Sequence, residues 1–175
     1  AYMEHIVGPA RSIMAELRDA VGENVILALV RGGDRIVLWE ERASHELQAR
    51  RTHVKPAYEA STGRLMLAFM DEKERRKFID AHGLPPKSVW PEASTMTKLD
   101  AELAKIRARR LAFQMTPSHV IGLAVPVEKD GKVIASLGIY LPEVRAGKAR
   151  LGKLKKELVR AAAELTRKLH GGAVL

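Results

Sequence analysis

The sequence contains no cysteine, which excludes disulfides, thiolate metal sites and thiol nucleophiles at once. Long apolar runs are missing too, and none approaches the ~20 residues that a membrane-spanning helix needs. The opening residues, AYMEHIVGPARS, lack the basic start and apolar stretch of a secretory signal. The expected location is therefore the cytoplasm, with no membrane partner.

Catalytic patterns are equally scarce. The six histidines (His5, His45, His53, His82, His119, His170) have no short metal-ligand spacing and no carboxylate partner close in sequence. His119, at the start of an expected strand, reads as a hydrogen-bonded structural residue. The chain has no Gly-x-Ser-x-Gly elbow, no phosphate loop ending in Gly-Lys-Ser/Thr and no Gly-x-Gly-x-x-Gly fingerprint. Strand residues follow Gly32-Gly33, so that pair reads as a turn. The acidic pairs Glu72/Glu74 and Glu40/Glu41 read as helix capping and surface charge. No metal or cofactor is implied, and the expectation is a protein that is not an enzyme.

What is present is a chain of 175 residues, 46% hydrophobic and 29% charged, the size and balance of one soluble domain. Its 30 Lys and Arg against 21 Asp and Glu give a net charge of +9. The densest groups are Arg107, Arg109 and Arg110, and Lys148, Arg150, Lys153, Lys155 and Lys156. Both fall on expected helices, where a basic stripe reads as a solvated face. A basic adaptor that contacts nucleic acid directly is the alternative, but no helix-turn-helix, finger spacing or stacking strip accompanies the charge.

Periodicity divides the chain. Ile6, Ala10, Ile13, Met14, Leu17 and Val21 recur at helical spacing before Gly22. Val25 to Val30 and Ile36 to Trp39 form a hairpin across RGGDR, and the polar stretch from Glu40 to Arg51 leaves room for one more edge strand. A helix opens at Ser61, and a second at Asp71 behind the capping box Asp71-x-x-Glu74, ending at Gly83. Leu84 to Thr95 reads as loop. Thr97-x-x-Asp100 is expected to open a third helix with Leu99, Leu103 and Ile106 inward. HVIGLAVPV and KVIASLGIYL, joined by EKDG, form the clearest hairpin, with Pro126 marking a bulge or an open edge. A long helix carries Leu151, Leu154, Leu158, Ala162, Leu165 and Leu169. Hairpin-joined strands imply an antiparallel sheet flanked by helices, an α+β (α/β) sandwich of the sensor type.

One stretch invites a ligand. Ser61, Thr62 and Gly63 stand where a helix begins, and the first N–H groups of a helix lack internal partners and carry partial positive charge. Gly63 would let a carboxylate approach the backbone. The competing reading is that Ser61 simply caps its own helix.

The segment Pro56 to Ala68 (PAYEASTGRLMLA), the helix LDAELAKIRARRLAF, the hairpin GLAVPVEKDGKVIASLGIYLPEVR and the opening hairpin VILALVRGGDRIVLWE together resemble the effector-binding domain of the isocitrate lyase regulator (IclR) family of bacterial transcription regulators. The likeness runs from about His5 to Gly172. It implies a fold related to GAF and PAS sensor domains, a small organic acid as effector, and a homodimer or homotetramer. It also implies a ligand carboxylate held at Ser61 and Thr62, with Gln114, Val120, Gly122, Gly138 and Tyr140 around it. Departures concern Arg64 at the usual lysine, Gly138 and Tyr140 at serine-like positions, Gln114 at an acidic one, and MTPSH in place of an acidic pair. They suggest an aromatic or longer acid. Alternation puts Gly138 and Tyr140 on one face and Leu137, Ile139 and Leu141 on the other.

The family's winged helix-turn-helix has no counterpart in these residues. Residues 1–175 read as a single effector domain, with operator DNA reached through a module it lacks. A GAF-like enzyme is disfavoured, because redox members of that fold use cysteine. The first and last helices, with apolar stripes wider than one sheet face needs, are the expected oligomer surfaces.

Overall fold

The computed structural model describes residues 3–44 and 53–171. Chain order is α1 (Glu4–Val21), β1 (Asn24–Arg31), β2 (Asp34–Glu41), β3 (Val54–Pro56), α2 (Ser61–Phe69), α3 (Glu72–His82), α4 (Met96–Arg109), β4 (Ala112–Met115), β5 (Val120–Lys129), β6 (Lys132–Pro142) and α5 (Lys148–Gly171). Short 3₁₀ turns lie at Ala57–Glu59, Pro91–Ala93 and Glu143–Arg145. The strands form one antiparallel sheet in the order β3-β2-β1-β6-β5-β4. This is the α+β sheet-and-helix architecture expected from the pattern. The stretch expected to hold an extra edge strand lies largely outside the described residues; β3 falls just beyond it.

Alternation along the strands separates two cores. Val25 and Leu27 of β1 and Leu137, Ile139 and Leu141 of β6 face α1 and α5. On the opposite face, α2, α4 and the turn around Trp90 pack over Ala112 and Ala124. The apolar stripes of α1 and α5 are buried against each other and the sheet, which removes the reason for expecting an oligomer surface there. The wide stripes exist because each helix touches both its neighbour and the sheet.

Local signals decide the element ends. Gly22 adopts φ +67° and closes α1, a left-handed conformation that costs glycine little. Asp71 accepts from the Glu74 N–H as expected. For α4 the cap is Thr95, which accepts from the Lys98 N–H, and the helix starts at Met96. The cap expected at Thr97 is thus two residues too late, since Thr97 is already helical. Pro126 sits where β4 has ended opposite Ala124, and the register shift between Val127 and Glu128 follows at once. One side of β5 is open there, so the missing N–H is tolerated.

Candidate functional site

The start of α2 rests directly on the sheet. A Cβ on Gly122 would lie 2.6 Å from Ser61 Oγ, and one on Gly138 would lie 2.7 Å from Thr62 Cγ2. These two glycines therefore admit the first turn of the helix, and both also line the cavity beside it. Gly63 has a different reason: a Cβ there would lie 2.2 Å from the Ala57 carbonyl oxygen. It serves the fit of α2 against the preceding turn, and Gly63 is not in the cavity wall. Ser61 does not cap α2. Ala60 holds the cap position, without a side-chain bond, and Ser61 and Thr62 are the first helical residues.

Beside this helix start is a cavity of about 200 Å³, at the small end for organic ligands. Ser61, Thr62, Gln114, Val120, Gly122, Gly138 and Tyr140 all reach its wall, so seven of the eight expected positions converge and Gly63 does not. Strand register explains why: Gln114, Gly122 and Tyr140 form one cross-strand row, and Ala124, Gly138, Ile26 and Glu40 another. The Gln114 amide donates to the Glu59 carbonyl oxygen at 2.9 Å, tying β4 to the segment before α2.

Among the wall residues that were not anticipated, three are charged. Arg35 is 4% exposed and its guanidinium donates to Thr62 Oγ1 at 3.3 Å. Lys55 stands directly opposite Arg35 across the β2–β3 ladder. Burial lowers the pKa of both, and for Lys55 the Arg35 charge adds to that fall. Glu40, expected on the surface, has a side chain only 4% exposed, and the Tyr140 hydroxyl donates to it at 3.3 Å. A β-bulge places it: Leu27 pairs with Trp39 and Ala28 with Val37. The skipped Leu38 brings Val37 and Glu40 to the cavity, while Leu38 and Trp39 turn to the α1–α5 core. No sequence motif marks such a bulge; the basic residues Arg35 and Lys55 lie in the two strands that precede the Ser-Thr-Gly segment.

Arg64, at the expected lysine position, points elsewhere. It donates to the Tyr58 and Val89 carbonyl oxygens at 2.7 and 3.1 Å and lies 4.1 Å from the Trp90 ring centroid. Burial brings its pKa down to about 10, so it is charged at neutral pH and locks the loops behind α2. His119 does acquire a carboxylate, since Glu143 Oε2 is 2.7 Å from its Nδ1. That pair is solvent-exposed, at 75% and 45%, in the turn that also carries Thr116 and Ser118 to the cavity.

A six-stranded antiparallel sheet with helices on both faces, and a small polar cavity at a helix start, define an α+β domain with a candidate ligand site. The sequence matches the family model described as bacterial transcriptional regulator IclR C-terminal over residues 2–167, and the chain belongs to that family. Similar solved structures include the Thermotoga maritima IclR, with 24% identity, a TM-score of 0.80, and coverage of 94% of this chain and 68% of that one. The C-terminal domain of the E. coli transcriptional regulator KdgR is 20% identical, with a TM-score of 0.79 and coverage of 94% and 98%. An IclR homolog from Microbacterium hydrocarbonoxydans complexed with 4-hydroxybenzoate is 22% identical, with a TM-score of 0.79 and coverage of 97% and 70%. A search of curated protein sequences returns no significant match. Among the described residues, no helix is long and apolar enough to cross a membrane.

Proposed function

We propose that residues 1–175 form a single effector-binding domain that takes a small organic acid into the α2 cavity and, without catalysing a reaction, passes the binding event to operator DNA through a winged helix-turn-helix module. The observation that carries this reading is the placement of Arg35 directly opposite Lys55 on the cavity wall. Like charges facing each other across strands are destabilising, and their partial burial adds to the cost. Glu40 acts on Arg35 and Glu59 on Lys55, yet both pKa values stay lowered, and a bound anion would favour the charged forms further. The adjacent N-terminus of α2 adds partial positive charge and N–H donors from Ser61 and Thr62. The acid bound by the Microbacterium homolog supports the same ligand class. Family likeness supports a cytoplasmic homodimer or homotetramer, checked by light scattering.

A thermal-shift screen against keto, hydroxy and aromatic acids tests the site. A ligand at a hundredfold excess over its Kd stabilises the native state by about 2.7 kcal/mol, or about 5–10 °C for a chain of this size. Arg35→Met should abolish the shift while the circular dichroism spectrum stays native. If no acid raises the melting temperature, the site reading fails, and salt-dependent nucleic-acid binding becomes the experiment to do.

A further inference from the structure

The sheet leaves one stretch of strand uncovered. β4 has four residues and β5 ten, and the ladder between them ends at Ala112 opposite Ala124. Past that point, among the described residues, β5 has a strand on one side only. Between this free stretch, the end of α4 and α5 lies a groove of about 560 Å³, a size usual for small-molecule sites. It shares no residue with the α2 cavity. Its floor is apolar: Leu111, Val125 and Pro126 meet Val159, Ala162 and Ala163 of α5. Positions 155, 159, 162, 163 and 166 share one face of that helix. The two alanines project only methyl groups, and Val159 is 54% exposed.

The charge around this floor is of one sign. Arg109, Lys155 and Arg167 line the groove and are exposed. None of the three has a hydrogen-bond or ion-pair partner among the described residues. The fourth cation, Arg110, is paired with Glu128, the one acid in the wall. An added peptide strand finds few donors along β5, because Pro126 has no N–H and the Glu128 N–H is already donated to Thr166 Oγ1 at 3.1 Å. A second copy docked through the same face would bring the cations against their own kind. We propose that the groove is a second binding site, for an alkyl carboxylate whose chain covers Val159 and its apolar neighbours and whose head is held by the unpaired cations. Lys155 and Thr166 are eleven residues apart on α5, roughly 16 Å at about 1.5 Å per residue. The face therefore suits an extended chain and not a compact acid.

Amide chemical-shift titration of the domain with octanoate, acetate and octylammonium tests the site. Octanoate should shift the amides of Val125, Val127 and Glu128 and those of α5 from Lys155 to Arg167. It should bind about tenfold tighter than acetate, because each methylene covered adds to affinity. It should exceed octylammonium, which reverses the charge, by about the same factor. Val159→Glu sets a charge on the floor at an exposed position and should weaken octanoate about tenfold. Lys155→Gln combined with Arg167→Gln should weaken it about fivefold, the effect of two exposed ion pairs, and leave octylammonium unchanged. Arg35→Met, in the other cavity, should leave these shifts in place. Loss of the shifts in Arg35→Met overturns the inference, since octanoate would then occupy the α2 cavity. Equal binding of octanoate and octylammonium overturns it, as does unchanged octanoate affinity in the double variant. Shifts absent from β5 and α5 do the same. Broadening of these amides with protein concentration alone would assign the groove to a second copy and also overturn it.

Discussion

Three glycines around α2 illustrate how much a single missing Cβ decides. Gly63 faces backbone, the Ala57 carbonyl at 2.2 Å from a built Cβ, which cannot rotate away. Gly63→Ala should therefore cost about 1–3 kcal/mol through overpacking, measured as a lower urea midpoint at unchanged slope. Gly152, inside α5 with nothing within 4 Å of a built Cβ, is the opposite case. Gly152→Ala should stabilise by about 0.5–1 kcal/mol, because alanine loses less backbone entropy in a helix. In sequence these glycines look alike, and the reading of Gly63 as an opening for ligand was wrong because its neighbour is a carbonyl brought close by the 3₁₀ turn. Convergence of Gln114, Gly122, Gly138 and Tyr140 was legible only through resemblance, since their rows depend on the register of four strands.

At the scale of elements, most boundaries follow from local chemistry, and the exceptions involve two signals competing within a few residues. Thr95 and Thr97 both precede helical periodicity. The longer helix places Leu99, Leu103 and Ile106 in the core behind α2, and it makes Thr95 the cap. Thr95→Ala should cost about 1 kcal/mol, whereas Thr97→Ala should change stability by less than about half of that, a contrast that parallel thermal melts resolve. The bulge at Leu38 has larger consequences. Strict alternation from Arg35 and Val37 would put Trp39 and Glu41 on the cavity face; skipping Leu38 puts Glu40 there instead. Burial of Leu38 and Trp39 against the α1–α5 core drives that choice, and nothing local to β2 announces it.

Across the whole molecule, one ionic cluster joins the two ends of the chain. Glu23, 1% exposed, accepts from Arg145 through both oxygens at 2.9 and 3.1 Å and from Arg150 at 3.1 Å. Arg150 also reaches the Val21 carbonyl oxygen. The cluster clamps the α1–β1 corner to the start of α5. Glu23→Gln removes the charge from between two arginines and should cost about 3 kcal/mol, the low end for a broken buried pair because both arginines are partly exposed. That corresponds to a fall of about 6–12 °C in melting temperature, readable by scanning calorimetry.

The amino-acid pattern alone determined the helices, the two hairpins, the antiparallel sheet and the alternation that keeps Gly138 and Tyr140 away from Leu137, Ile139 and Leu141. Hydrophobic periodicity and turn chemistry act over a few residues, so they are written locally. Tertiary structure alone decided that Arg35 faces Lys55, that Glu40 is buried, and that the apolar stripes of α1 and α5 are consumed inside the domain. Those outcomes depend on strand register and on which surfaces meet, and both are settled by burying the greatest apolar area across residues far apart in the chain.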